Sequence, residues 1–162
     1  MEDKQQLFIR MAISAWKSQN GQVNKLLESI SDEQLLNETA PGRNTGIYLL
    51  GHLTAVNDNL FTILGFGEKL YPELYDVFVN ESDKSGHPFP STATLKEYWN
   101  KVNTKLTEHI DKTSAEEWFS KHNSVSAEDF AKEPHRNKLN VLMNRTSHQS
   151  YHLGQMAYLK KK

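Results

Sequence analysis

Apolar residues recur along this chain at intervals of three and four, in four long runs set apart by polar or proline-marked connections, which is the pattern of amphipathic helices packed on one another. The first run, from about Lys4 to Ile30, places Leu7, Phe8, Met11, Ala15, Val23, Leu26, Leu27 and Ile30 near helical spacing. A polar stretch from Ser18 to Gln22 interrupts it, and Gly21 within that stretch costs about 1 kcal/mol relative to alanine in a helix interior. Gly21 therefore marks either a close approach by a neighbouring helix or a tolerated weak spot. Pro41 and Gly42 punctuate the next connection, and Asn44 is the expected N-cap of a second helix running to about Gly65, with Leu49, Leu53, Val56, Leu60 and Leu64 as its stripe. A third helix starts at Thr92, or at Thr94 with Glu97 closing a capping box, and turns Leu95, Trp99, Val102, Leu106 and Ile110 inward. A fourth begins after Pro134 and runs almost to the end, with Leu139, Leu142, Leu153, Met156 and Ala157 on its apolar face.

Two connections, from about Phe66 to Ser91 and from Lys112 to Pro134, are longer than ordinary bundle turns and need a reason. A crossover joining two parallel helices supplies it for the first, and a short helix, AEEWF capped by Ser114, partly fills the second. Both can also cover the mouth of a site. The run LYDVFV from Leu74 to Val79 reads as a short extended piece, and nothing else competes with an all-α reading. Residues 1–162 are expected to form one domain.

Composition narrows the partners. A net charge of −1, with acids and bases interspersed, gives no field to steer nucleic acid or a membrane surface. The three terminal lysines read as charge complementing a helix C-terminus, with a basic tail as the alternative. The absence of cysteine excludes disulfides, thiolate nucleophiles and cysteine zinc sites, so any thiol must come from outside. MEDKQQLF is not a signal sequence and no apolar run reaches about 18 residues, so a cytoplasmic location is expected, and the sequons at Asn37, Asn80 and Asn144 carry no weight.

The chemistry concentrates on the last helix. His148 and His152 stand four residues apart in NRTSHQSYHLGQ, so they share one helix face with Cβ atoms about 5 to 6 Å apart. Two imidazoles so placed can grip one cation, and a third on a neighbouring helix leaves positions open for water or substrate. His52, in LLGHL on the edge of the second helix's stripe with Asn59 two turns on, is the candidate. Seven histidines make an HxxxH pair weak evidence by spacing alone. The equal intervals of His109, His122, His135 and His148 show no recurring neighbours, and His87, His109, His122 and His135 are expected away from the site. The trio stands out because each member borders an apolar stripe. Beside the fourth helix's apolar face, a strip of Val141, Asn144, Arg145, His148, Tyr151, His152, Gln155 and Leu159 suggests a lined cavity. Gln149 stands where an HExxH protease has its glutamate, which excludes that mechanism. Arg145 is a candidate to hold an anionic substrate group, and Asn59, Tyr151 and Gln155 are candidate partners of the ligands or of a bound cofactor.

GHL in the second helix together with SHQSYHLGQM in the last resembles the DinB superfamily, whose pattern is one histidine in helix two and an HxxxHxGQ-like motif in helix four. The resemblance covers essentially the whole chain. It implies a four-helix bundle in up-down-down-up order and a homodimer, for which helix one offers Phe8 and Trp16 as apolar residues that can be exposed. It implies His52, His148 and His152 as ligands of a divalent metal, zinc or nickel. The activity it suggests is transfer or addition of a low-molecular-weight thiol to a small electrophile, with Arg145 or Gln155 orienting the reactants. A metal-dependent hydrolase that activates water, or a non-enzymatic stress-response or binding bundle, are the alternatives.

Overall fold

A computed structural model describes residues 3–160, and among them it contains eight α-helices and no strand. Four helices are long: α1 (Lys4–Ser29), α3 (Gly46–Leu64), α5 (Thr92–Lys112) and α8 (Lys138–Met156). The others, α2 (Asp32–Leu35), α4 (Glu73–Tyr75), α6 (Ala115–Trp118) and α7 (Ala127–Lys132), are one or two turns each. The last two lysines of the terminal tail lie outside the described residues.

Side-chain hydroxyls and amides set most of the starts. Asn137 accepts from the N–H of Asn140 at the head of α8, and Ser114 caps α6 as expected. Two caps differ from the sequence expectation. Ser91, not Thr92 or Thr94, opens α5 by accepting from the N–H of Thr94 at 3.1 Å. Thr45, not Asn44, opens α3, because Asp83 from the following connection accepts from its N–H (2.6 Å) and its hydroxyl (3.1 Å) and fixes it as the cap. Gly65 ends α3 in the left-handed conformation, φ 77°, where glycine carries no Cβ penalty.

Contacts between the long helices give their directions. Asn24 bonds Trp99 and Lys17 pairs with Asp111, so α1 and α5 are antiparallel. Asn57 bonds Asn103 and Phe61 packs on His109, so α3 and α5 run parallel. His52 meets His148 while Lys138 lies beside Gly65, so α3 and α8 are antiparallel. The result is a four-helix bundle in up-down-down-up order, and the long connection between α3 and α5 is the crossover that a parallel pair requires.

Helix α3 is buried nearly all round. Ile47, Leu50, Thr54, Ala55, Asn57 and Asp58 are buried along with the expected stripe, because the crossover covers the face that a one-sided helix would leave to solvent. That cover is where the structure corrects the sequence reading. The segment from Leu74 to Val79 is not extended: it continues from α4 into a π-helical turn, Asp76–Asn80. Leu74 and Phe78, one helical turn apart, are both buried, and the Phe78 ring lies flat enough on α3 that any Cβ at Gly51 would be driven into it. Asp58 clamps the start of the same segment, accepting from the backbone N–H groups of Leu70 and Tyr71 at 2.8 Å each.

In α1, Gly21 faces open space, so it is a weak spot and not a point of helix approach. Trp16 is fully buried among Leu60, Val102, Leu106 and Leu142, which removes it from any surface between copies of the chain. Phe8 stays exposed, as do Leu7 and Met11. On α8, Leu153 is only half-buried and Gln149 fully buried, and Ala157, expected on its apolar face, lies just past the helix end and is exposed.

Candidate metal centre

The antiparallel pairing of α3 and α8 brings the front half of one against the back half of the other, and the histidines meet there. His148 Nε2 lies 3.2 Å from His52 Nε2 and 3.1 Å from His152 Nε2. One ligand atom from each of the three falls within 4.8 Å of the others. A tetrahedral ion held at about 2.0 to 2.1 Å by nitrogen keeps its ligands roughly 3.3 Å apart, so the cluster fits a divalent metal.

The far sides of the rings decide which nitrogen faces inward. His52 Nδ1 stands 2.7 Å from the carbonyl oxygen of Phe78. A carbonyl only accepts, so Nδ1 carries the proton and Nε2 presents a lone pair. That carbonyl belongs to the end of the π-helical turn, where no helical N–H claims it. His152 Nδ1 likewise donates to Gln155 Oε1 at 2.7 Å, while the other end of that amide donates to the Tyr151 hydroxyl at 3.3 Å. Two inward lone pairs are thereby fixed, and a single N–H on His148 Nε2 can serve only one of them. A cation at the centre satisfies all three. His148 Nδ1 is buried with no partner.

Residues 15–156 match the DinB superfamily. The chain belongs to that superfamily. No curated protein matches it. Both of the superfamily resemblances read in the sequence, the helix-two histidine and the HxxxHxGQ run, therefore fall on one constellation in space.

Electrostatics favour the neutral imidazole that a metal needs. Burial lowers the pKa of His52, helped by the nearby positive charges of His152 and Arg145 and opposed by the Phe78 hydrogen bond. Burial lowers His152 as well, against the bond to Gln155. His148 falls furthest, to about 4, through burial and then the charges of His152, Arg145 and His52. Arg145 is partly buried, and its Nε has no hydrogen-bond partner. Tyr48 stacks on the His52 ring at 6.2 Å and Tyr151 meets His152 edge-on at 5.1 Å.

The remaining predicted residues spread more widely. Gln155 bonds a ligand directly, and Tyr151 is 64% exposed and touches the site through Gln155 and the His152 ring. Asn59 is half-buried on α3 and bonds none of the three imidazoles among the described residues. His109 stacks on Phe66 at 5.0 Å, His122 accepts from the N–H of Ser124, His87 faces Glu81 and His135 is exposed, all away from the cluster. Two features have no counterpart in the sequence reading. One is the Phe78 carbonyl. The other is a buried amide layer one residue from His148: Asn57 Nδ2 donates to both Asn103 Oδ1 and Gln149 Oε1 at 3.0 Å, and Gln149 Nε2 donates to Asn20 Oδ1 at 2.8 Å.

Proposed function

We propose that this DinB-superfamily protein is a metal-dependent enzyme that adds or transfers a low-molecular-weight thiol to a small electrophile. The observation that carries the reading is the convergence of three Nε2 atoms, two of them held as acceptors by Phe78 and Gln155, with no carboxylate in the group. His52, His148 and His152 would hold the ion, zinc or nickel, since three imidazoles suit either. When bound, such an ion supplies Lewis acidity that makes an incoming thiol or water acidic enough to ionise near neutral pH. The chain's own residues do the rest. The Phe78 carbonyl and Gln155 keep the imidazole protons on Nδ1, and Arg145 or Gln155 orients the reactants.

A cytoplasmic protein has such thiols available in reduced form, and a chain without cysteine meets them with no thiol of its own to compete. No described helix is long and apolar enough to cross a membrane. The partner we propose besides the substrate is a second copy of the chain, docked through a helix face that includes Phe8.

Elemental analysis of protein purified without a histidine tag tests the metal, with close to one zinc or nickel per chain expected. Assays of that protein on small electrophiles, with and without added thiol, test the reaction. Turnover only with thiol supports the transferase. Turnover without it would make the protein a hydrolase, and a protein that refuses added Zn²⁺ and Ni²⁺ would be an inert bundle.

A further inference from the structure

Among the described residues, Arg145 is a cation with no acid paired to it. It precedes His148 by three residues on α8, which puts the two side chains on one helix face with Cβ atoms about 5 to 6 Å apart. Its side chain is partly buried, its Nε is sealed without a hydrogen-bond partner, and it makes no ion pair among the described residues. Lys96, Arg136 and Lys138, which are partly or fully buried, each pair with an acid, Asp32, Glu133 and Glu117, and Lys69 lies over the Tyr75 ring. The charges that act on His52 and His148 are those of the other imidazoles and Arg145, His152 is shifted by burial and the Gln155 bond alone, and the group that acts on Arg145 is the Tyr75 hydroxyl. No carboxylate is among them.

The charge count follows directly. Three neutral imidazoles leave a divalent ion its full +2, and Arg145 adds +1, so the loaded site carries about three uncompensated positive charges in a partly buried place. Burying a cation without a partner is costly, and a chain that keeps one beside a metal site keeps it for a charge that arrives from outside. An ionised thiol or water answers only one of the three.

We propose that Arg145 anchors a carboxylate on the small molecule whose other end reaches the three histidines, so that the site takes an organic anion and not a neutral thiol or electrophile. This rests on the metal reading above. The planar fork of the guanidinium matches a carboxylate with two parallel hydrogen bonds, and the one-turn offset from His148 sets a short span between that carboxylate and the reacting atom.

Cobalt-loaded protein, followed by its visible absorption, provides the test without any assay of activity. The probes are 3-mercaptopropionate and its neutral counterpart 3-mercaptopropanol. Wild-type protein is expected to bind the carboxylate at least about tenfold more tightly than the alcohol. Arg145→Gln should hold Co²⁺ at least as tightly, since a like charge has gone, and bind the two thiols equally, while Arg145→Lys should keep part of the preference. Removing an unpaired buried cation should also leave the thermal midpoint of the metal-free protein unchanged or raised. Equal binding of both thiols by wild type, or a full preference surviving in Arg145→Gln, would overturn the proposal, as would a marked loss of thermal stability in both variants, which would make the arginine structural. A wild-type protein that shows no cobalt spectrum fails before any thiol is added, and that result sinks the metal reading itself.

Discussion

Each imidazole of the candidate centre is held by what lies behind it, and this makes the supporting groups as testable as the ligands. Replacing His148 with alanine removes one of three nitrogens and is expected to abolish measurable Zn²⁺ binding in calorimetry. The fold should survive, because His148 Nδ1 has no partner to lose and the packing around α8 rests on Leu139, Leu142 and Met156. Replacing Gln155 with leucine leaves all three ligands in place but frees the His152 ring, and outer partners of this kind are worth about 10- to 100-fold in metal affinity. A Gln155→Leu protein that binds Zn²⁺ as tightly as wild type would show that its bond to His152 is incidental. The ligands themselves were legible in the sequence because histidine is scarce chemistry and a four-residue spacing fixes a common face. Gln155 was legible for the same reason, one turn further on. The Phe78 carbonyl was not, since every residue carries a carbonyl, and only the π-helical turn leaves this one unclaimed and aimed at His52.

The crossover between α3 and α5 depends on one buried acid, Asp58, which accepts from Leu70 and Tyr71. Asp58→Ala strands both N–H groups and is expected to cost about 1 to 3 kcal/mol in urea unfolding. Burial raises the Asp58 pKa above its usual value, against the two N–H bonds and Lys69 that lower it. A raised folded-state pKa means the folded protein holds this proton more tightly than the unfolded chain, so the stability linked to it is fully present below the unfolded value near 3.9 and is lost as pH rises through the folded one. The advantage of wild type over Asp58→Asn should accordingly be larger at pH 4 than at pH 7, and a gap that widens with pH would contradict the direction of the shift. In α1 the expected change has the opposite sign: Gly21 faces open space, so Gly21→Ala should raise stability by up to about 1 kcal/mol. The long helices were legible because their stripes run for five or more turns. The crossover was not. Leu74, Val77, Phe78 and Val79 fit a strand as well as a helix over so short a run, and only packing against Gly51 decides between them. The caps at Thr45 and Ser91 escaped for a related reason, since neighbouring hydroxyls and amides compete and a distant Asp83 settles the first of them.

Across the whole bundle, one amide from each long helix, Asn20, Asn57, Asn103 and Gln149, forms a buried polar layer whose α8 member follows His148 in the chain. Its members read in the sequence as ordinary polar positions, because a helix viewed alone cannot show that four such residues lie at one level. Apolar contacts tolerate sliding of one helix along another, whereas hydrogen bonds of 2.8 to 3.0 Å between short side chains do not. The layer therefore sets the register of α8 against α3, and with it the meeting of His148 and His152 with His52. A single change such as Gln149→Leu strands the Oδ1 of Asn20 and one N–H of Asn57, which keeps its bond to Asn103, and is expected to cost about 1 to 3 kcal/mol. Replacing all four with leucine removes every unmet group at once, and substitutions of that kind are often neutral or stabilising. The fourfold variant should then unfold at or above the wild-type temperature yet bind Zn²⁺ far more weakly, because nothing holds the two histidine-bearing helices in step. Calorimetry on that variant separates register from stability: tight metal binding retained in a well-folded fourfold leucine protein would show that apolar packing alone aligns the centre.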